Sequence, residues 1–211
     1  MMIFSLFDIL NFSNIILYLY CNIKQINMKE KILYIYGYGS NPNDSFTMKE
    51  LKKVTDELGY ELVSTDYSQE YPESWGLPKL DKFITDNNIK YVIGHSLGGF
   101  IALCLMSDVK KIVINPCMKP RLELPKLGKI SNDTLHQYEF LEGWLESGND
   151  TPWMSQLEDV IGLFGDHDEL INYYEIFKKQ YPMAYRINAD HRPTTESYTE
   201  DIKNKIKEFF K

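Results

Sequence analysis

Gly94-His95-Ser96-Leu97-Gly98, followed by Gly99, forms a G-x-S-x-G run. A serine hydroxyl is a weak nucleophile, and chemistry at Ser96 needs an exposed hydroxyl with a base beside it. A sharp turn between a strand and a helix exposes it, and the amides that open the helix face the same point. The flanking pattern supplies that context: Tyr91–Gly94 reads as a short buried strand and Leu97–Ser107 as an apolar helix. So tight a turn calls for residues without bulky side chains at Gly94 and Gly98, with His95 inside the elbow and pointing away from the hydroxyl's approach. Four histidines could supply the base. His136 lies in a region without strand–helix alternation, and His167 sits among acids. His191 alone directly follows the last readable strand, in the loop-like run Asn188-Ala189-Asp190-His191-Arg192-Pro193.

The base in turn needs a carboxylate to fix its tautomer and stabilise the imidazolium. Gly165-Asp166-His167-Asp168-Glu169-Leu170 follows a strand and precedes a helix-like run. Asp168, at Gly-x-x-Asp spacing, is the expected acid. Asp166 is the alternative, and Glu169 a more distant one. The same cluster could be read as metal ligands, but no second ligand cluster accompanies it, so neither metal nor cofactor is expected. A developing oxyanion needs two fixed N–H donors. The amide of Leu97 is one candidate. The other is the amide of Tyr38, in the loop Tyr36-Gly37-Tyr38-Gly39-Ser40-Asn41-Pro42, where Gly37 and Gly39 let the backbone come close.

These residues must be held by a scaffold, and the alternation of patterns from Lys31 onward describes one. Apolar strand-like runs at Ile32–Tyr36, Tyr60–Thr65, Tyr91–Gly94, Lys111–Asn115, Val160–Phe164 and Ala184–Asn188 alternate with helical spacings. The helical segments are one after a capping box at Thr47 and Glu50, then Leu77–Asn87, Leu97–Ser107, Leu170–Lys179, and a last one marked by Tyr198, Ile202, Ile206 and Phe209. Apolar strands separated by helices predict a mostly parallel, six-stranded sheet covered on both faces, a three-layer α/β/α sandwich. Ser96, Asp168 and His191 then all fall at strand ends, in the chain order of α/β-hydrolases. Between Met118 and Leu157 the alternation stops. Leu135, Tyr138, Leu141, Trp144 and Leu145 share one helical face there, and Trp153 follows. The segment 118–157 reads either as a small helical cap with Tyr138, Leu141 and Trp144 forming an acyl pocket, or as a helix packed on the core.

Composition narrows the class. The chain has 211 residues, 44% of them hydrophobic, which suits a single domain with a packed core. A net charge of −7 with no basic stripe argues against a nucleic-acid partner. Three cysteines without paired spacing give no disulfide framework and no zinc pattern, so the expected compartment is the reducing cytoplasm. Residues 1–21 are mostly apolar but carry Asp8, Asn11 and Asn14. They lack a charged leading segment and a cleavage site. The expected organisation is an N-terminal leader over residues 1–27, dispensable with Met28 as the functional start, followed by one hydrolase domain over 28–211. The alternatives are a membrane anchor in residues 1–21 or a packed N-terminal element.

At these residues the chain resembles the α/β-hydrolases, and more closely the small YqiA-like bacterial esterases. The marks are Ile32 to Tyr38 with Ser40-Asn41-Pro42, Ser96-Leu97-Gly98-Gly99, Asn115-Pro116-Cys117-Met118-Lys119-Pro120, Gly165-Asp166 with Asp168, and His191. The resemblance implies cofactor-free hydrolysis of short or medium acyl esters, with a small-molecule ester as partner. Two departures stand out: Tyr36-Gly37 replaces the usual His-Gly of the oxyanion loop, and Ala189-Asp190 replaces the usual Gly-Gly before the histidine. Two further readings share the fold: a catalytically silent binding protein, and an acyltransferase or peptidase using the same three residues.

Overall fold

Ile32, Leu33, Tyr34 and Ile35 are all buried, because the strand they form lies inside a sheet covered on both faces. The computed structural model describes residues 29–42, 45–147, 157–192 and 196–210. The proposed leader (1–27) and Trp153 lie outside the described residues, as does the side chain of Tyr198. Strands are β1 (Lys31–Ile35), β2 (Glu61–Val63), β3 (Tyr91–His95), β4 (Lys110–Ile114), β5 (Val160–Gly165) and β6 (Ala184–Ile187). Helices are α1 (Phe46–Glu57), α2 (Leu77–Asp86), α3 (Leu97–Leu103), α4 (Pro120–Leu127), α5 (Asn132–Glu146), α6 (Tyr174–Gln180) and α7 (Glu196–Phe209). The sheet is six-stranded, in the order β2-β1-β3-β4-β5-β6, and every pairing is parallel.

The strand order reverses once, between β1 and β3. At such a switch point the loops leaving the carboxyl ends of the strands diverge and open a crevice. The loop after β1 and the Ser96 elbow after β3 flank it. The Asp168 and His191 loops leave the same sheet edge from β5 and β6.

Several element boundaries differ from the sequence expectation, each for a local reason. Helix α1 is capped by Ser45, whose Oγ accepts from Met48 N at 3.3 Å, and not by a Thr47/Glu50 box. Thr47 is buried inside the helix, and Glu50 pairs with Lys53 instead. Helix α3 stops at Leu103, short of Ser107, because the next backbone groups find tertiary partners. The Asp81 carboxylate accepts from Met106 N and Ser107 N, and Lys111 Nζ donates to Leu105 O. Helix α6 starts at Tyr174, four residues later than expected, because Asp168 Oδ1 accepts from both Leu170 N and Ile171 N at 2.9 Å. That carboxylate holds a turn where a helix would otherwise begin.

Lys111 is an anomaly within this core. Its side chain sits on β4 at 1% exposure, and burial pushes its ammonium pKa down to about 8. In the unfolded chain the same group titrates near 10.4. The folded state therefore carries a charge-burial penalty that is full below pH 8 and lifts as pH rises through 8 towards 10. Lys111→Met should stabilise the fold by about 1–3 kcal/mol at pH 7 in urea melts, even after the Leu105 carbonyl loses its donor. The gain should shrink at pH 10. An equal gain at both pH values would contradict the burial penalty.

Candidate active site

The elbow forms because the ends of β1 and β3 nearly touch. A Cβ on Gly98 would sit 2.1 Å from Ile35 O, and one on Gly94 would sit 2.5 Å from Gly98 O. Only hydrogen fits at either position. Ser96 between them takes φ 56° and ψ −121°, a strained conformation for a non-glycine residue. Its own carbonyl and amide are tied into the frame: Ser96 N donates to Ile114 O, and Cys117 N donates to Ser96 O. The loop after β1 passes directly against it, since a Cβ on Gly37 would lie 3.6 Å from Ser96 Oγ.

Three side chains from three strand ends meet in a line. His191 Nδ1 lies 2.8 Å from Asp168 Oδ2, and His191 Nε2 lies 3.1 Å from Ser96 Oγ. The carboxylate can only accept, so Nδ1 carries the hydrogen and Nε2 is left to accept from the serine hydroxyl. The Asp168 side chain is 2% exposed. Its second oxygen is filled by the two backbone amides named above. Asp166, the alternative acid, points to the surface and pairs with Arg186 at 3.5 Å. Glu169 is exposed.

The remaining histidines are elsewhere. His136 is exposed on α5, and His167 Nε2 contacts Asn188 Oδ1. His95 is buried, and its Nε2 donates to the His191 carbonyl at 2.8 Å. Burial, reinforced by the neighbouring His191, holds its pKa down at about 4, so the ring is neutral at neutral pH.

Leu97 opens α3, where first-turn amides have no helical acceptor. Among the described residues no acceptor is assigned to Leu97 N or Tyr38 N. The loop carrying Tyr38 is bracketed by one side chain: Gln69 Nε2 donates to Gly37 O at 3.1 Å, and Gln69 Oε1 accepts from Gly39 N at 3.2 Å.

A cavity of about 490 Å³ opens onto Ser96 and His191. Its apolar wall comes from Tyr34, Tyr38, Phe46, Leu127 and Leu170. Tyr138, Leu141 and Trp144 are not among the described residues lining it, and the expected acyl pocket is corrected on this point. Leu141 and Trp144 line a separate apolar cavity between α2 and α5. Tyr138 is fully buried against Phe100, and its hydroxyl donates to Gln69 O at 2.9 Å. The face of α5 is thus consumed by the core. From the 118–157 segment, only Leu127 at the end of α4 reaches the Ser96 cavity among the described residues.

Asn115 has a place in the site that the sequence marks without explaining. It is 2% exposed, at φ 44°, and its amide is fully used. Oδ1 accepts from Gly165 N at 2.7 Å, while Nδ2 donates to both Asp190 O and His191 O at 3.1 Å. One side chain therefore joins the ends of β4 and β5 to the histidine loop. Gln69 carried no signal in the sequence, because it lies some thirty residues from the loop it holds. Among the described residues no group of His, Cys, Asp or Glu could hold a metal ion, and no helix is long and apolar enough to cross a membrane.

Solved structures share this architecture at low identity. Est1E from Butyrivibrio proteoclasticus is 17% identical with a TM-score of 0.61, over 87% of this chain and 88% of that one. The mouse alpha/beta hydrolase domain-containing protein 10 is 18% identical with a TM-score of 0.60, over 85% and 89%. The Pyrococcus furiosus esterase Pf2001 is 19% identical with a TM-score of 0.57, over 87% and 82%. No curated protein matches the chain. The fold is that of the α/β-hydrolases, in keeping with the resemblance to the small YqiA-like esterases. The family model matches residues 31–211, and the chain belongs to the Uncharacterised protein family UPF0227.

Proposed function

We propose that this protein is a serine hydrolase that cleaves carboxylic esters or thioesters through an acyl-Ser96 intermediate. The observation that carries the reading is the unbroken line Ser96 Oγ, His191 Nε2, His191 Nδ1, Asp168 Oδ2 at the mouth of a cavity. His191 takes the hydroxyl proton as Ser96 attacks the acyl carbon, then delivers it to the leaving alcohol. Asp168 holds the imidazole in the tautomer that makes this transfer work. The N–H groups of Leu97 and Tyr38 receive the oxyanion, at about 3 kcal/mol of transition-state stabilisation per donor. Water, activated by His191, then releases the acyl group. Pf2001, an esterase by name, and Est1E, which shares the architecture, lend support at the level of fold. Buried, unpaired Cys104 and Cys117 fit a reducing, cytoplasmic setting.

The test is turnover of p-nitrophenyl esters from acetate to decanoate. Hydrolysis should be measurable for the shorter chains and fall once the acyl group outgrows the cavity. Failure to turn over any member would favour a silent binding protein on this fold.

Asn115 is a positioning residue in this reading, because it acts through the His191 backbone and not on substrate. Asn115→Ala should lower kcat by about one to two orders of magnitude with little change in KM, as small displacements of a base are costly. It should also lower stability by about 1–3 kcal/mol by stranding the Gly165 amide. A fall in stability with kcat intact would make Asn115 merely structural.

A further inference from the structure

In a chain with net charge −7, the cavity at Ser96 has the opposite character. Among the described residues lining it there is no Asp or Glu, and Arg192 alone carries a fixed charge. Arg192 directly follows His191 and is exposed. No carboxylate among the described residues pairs with it: the nearby Asp168 is committed to His191 and two amides, and Asp166 to Arg186. An unpaired guanidinium at the mouth of an acid-free cavity attracts an anion and offers a planar donor fork suited to a carboxylate.

The residue it follows points to the part of the substrate it meets. His191 must reach the leaving oxygen to protonate it, so the alcohol part of an ester lies on the histidine side. Arg192 is the next residue and lines the same cavity, while in the proposed chemistry the Tyr38 and Leu97 amides hold the acyl carbonyl. We propose that the site prefers esters whose alcohol moiety carries a carboxylate, with Arg192 as the residue that selects it. This inference rests on the proposed acyl-Ser96 chemistry.

Two acetate esters that differ only in the charge of the leaving group test it: 4-acetoxybenzoate and 4-acetoxybenzamide. The wild-type protein should favour the carboxylate by about tenfold in kcat/KM, the scale of one charge-assisted hydrogen bond. The ratio should collapse towards one in Arg192→Gln, survive in part in Arg192→Lys, and shrink with added salt. Equal kcat/KM for the two esters, or a preference that persists in Arg192→Gln, overturns the selectivity while leaving the hydrolase reading intact. A preference seen only for phenyl hemisuccinate, where the charge sits in the acyl part, overturns the placement on the alcohol side. If neither ester is cleaved and no serine reacts with a fluorophosphonate, the hydrolase reading falls and the selectivity with it.

Discussion

Ser96→Ala should reduce ester turnover by about a millionfold, to the residual rate that oxyanion donors and binding alone provide. Only Oγ is lost. The backbone bonds that pin residue 96, from its amide to Ile114 O and from Cys117 N to its carbonyl, are untouched. Alanine suffers the same φ of 56° as serine, so the elbow keeps its strain and the melting temperature should hardly move. Ser96 and His191 act as one unit, so His191→Ala should be nearly as damaging, and the double variant little worse than either. Turnover that survives in Ser96→Ala at a tenth or more of the wild-type rate would place the nucleophile elsewhere. Any such residue would have to lie within reach of His191 Nε2, which sits beside Ser96 Oγ at the cavity.

The second large effect is expected at the acid. Asp168→Asn should lower kcat by roughly ten-thousandfold, because an amide in place of the carboxylate no longer selects the productive imidazole tautomer. Asparagine keeps an oxygen for the Leu170 and Ile171 amides, so the turn and the fold should persist. Asp166→Asn should stay within about twofold of wild type, as it removes only an exposed ion pair with Arg186. Kinetics of the two variants side by side decide between them. A larger loss at Asp166 would mean that the loop adopts another arrangement when substrate is bound.

The scaffold was legible because buried parallel strands write themselves as unbroken apolar runs. Val92, Ile93, Ile112 and Val113 leave little room for another assignment. The elbow was legible for a related reason, since the close approach of Gly98 to Ile35 O admits only glycine and so leaves a mark in the sequence. Asp168 and His191 were legible by their position after strands, although the line they make with Ser96 depends on a sheet register that no local pattern encodes. What left no mark in the sequence was tertiary. Asp168 spends one oxygen on the turn that delays α6, and Asp81 takes the amides that would have extended α3. The aromatic face of α5 could serve a pocket or the core equally well by its spacing. Phe100 and Gln69 on distant segments decide for the core. Asn115 stood out as part of an Asn-Pro run, but its three bonds reach β5 and the histidine loop, fifty and seventy-five residues on.

The most direct measurement is the intact mass of the full chain after reaction with a fluorophosphonate, followed by peptide mapping. A strained serine activated by a histidine–carboxylate pair should take up one phosphonate at Ser96 at neutral pH, and Ser96→Ala should take up none. Uptake should slow in Asp168→Asn, because the amide no longer holds His191 in the tautomer that accepts the hydroxyl proton. An unmodified mass at neutral pH, or a phosphonate mapped to any other residue, would contradict an acyl-serine mechanism at Ser96.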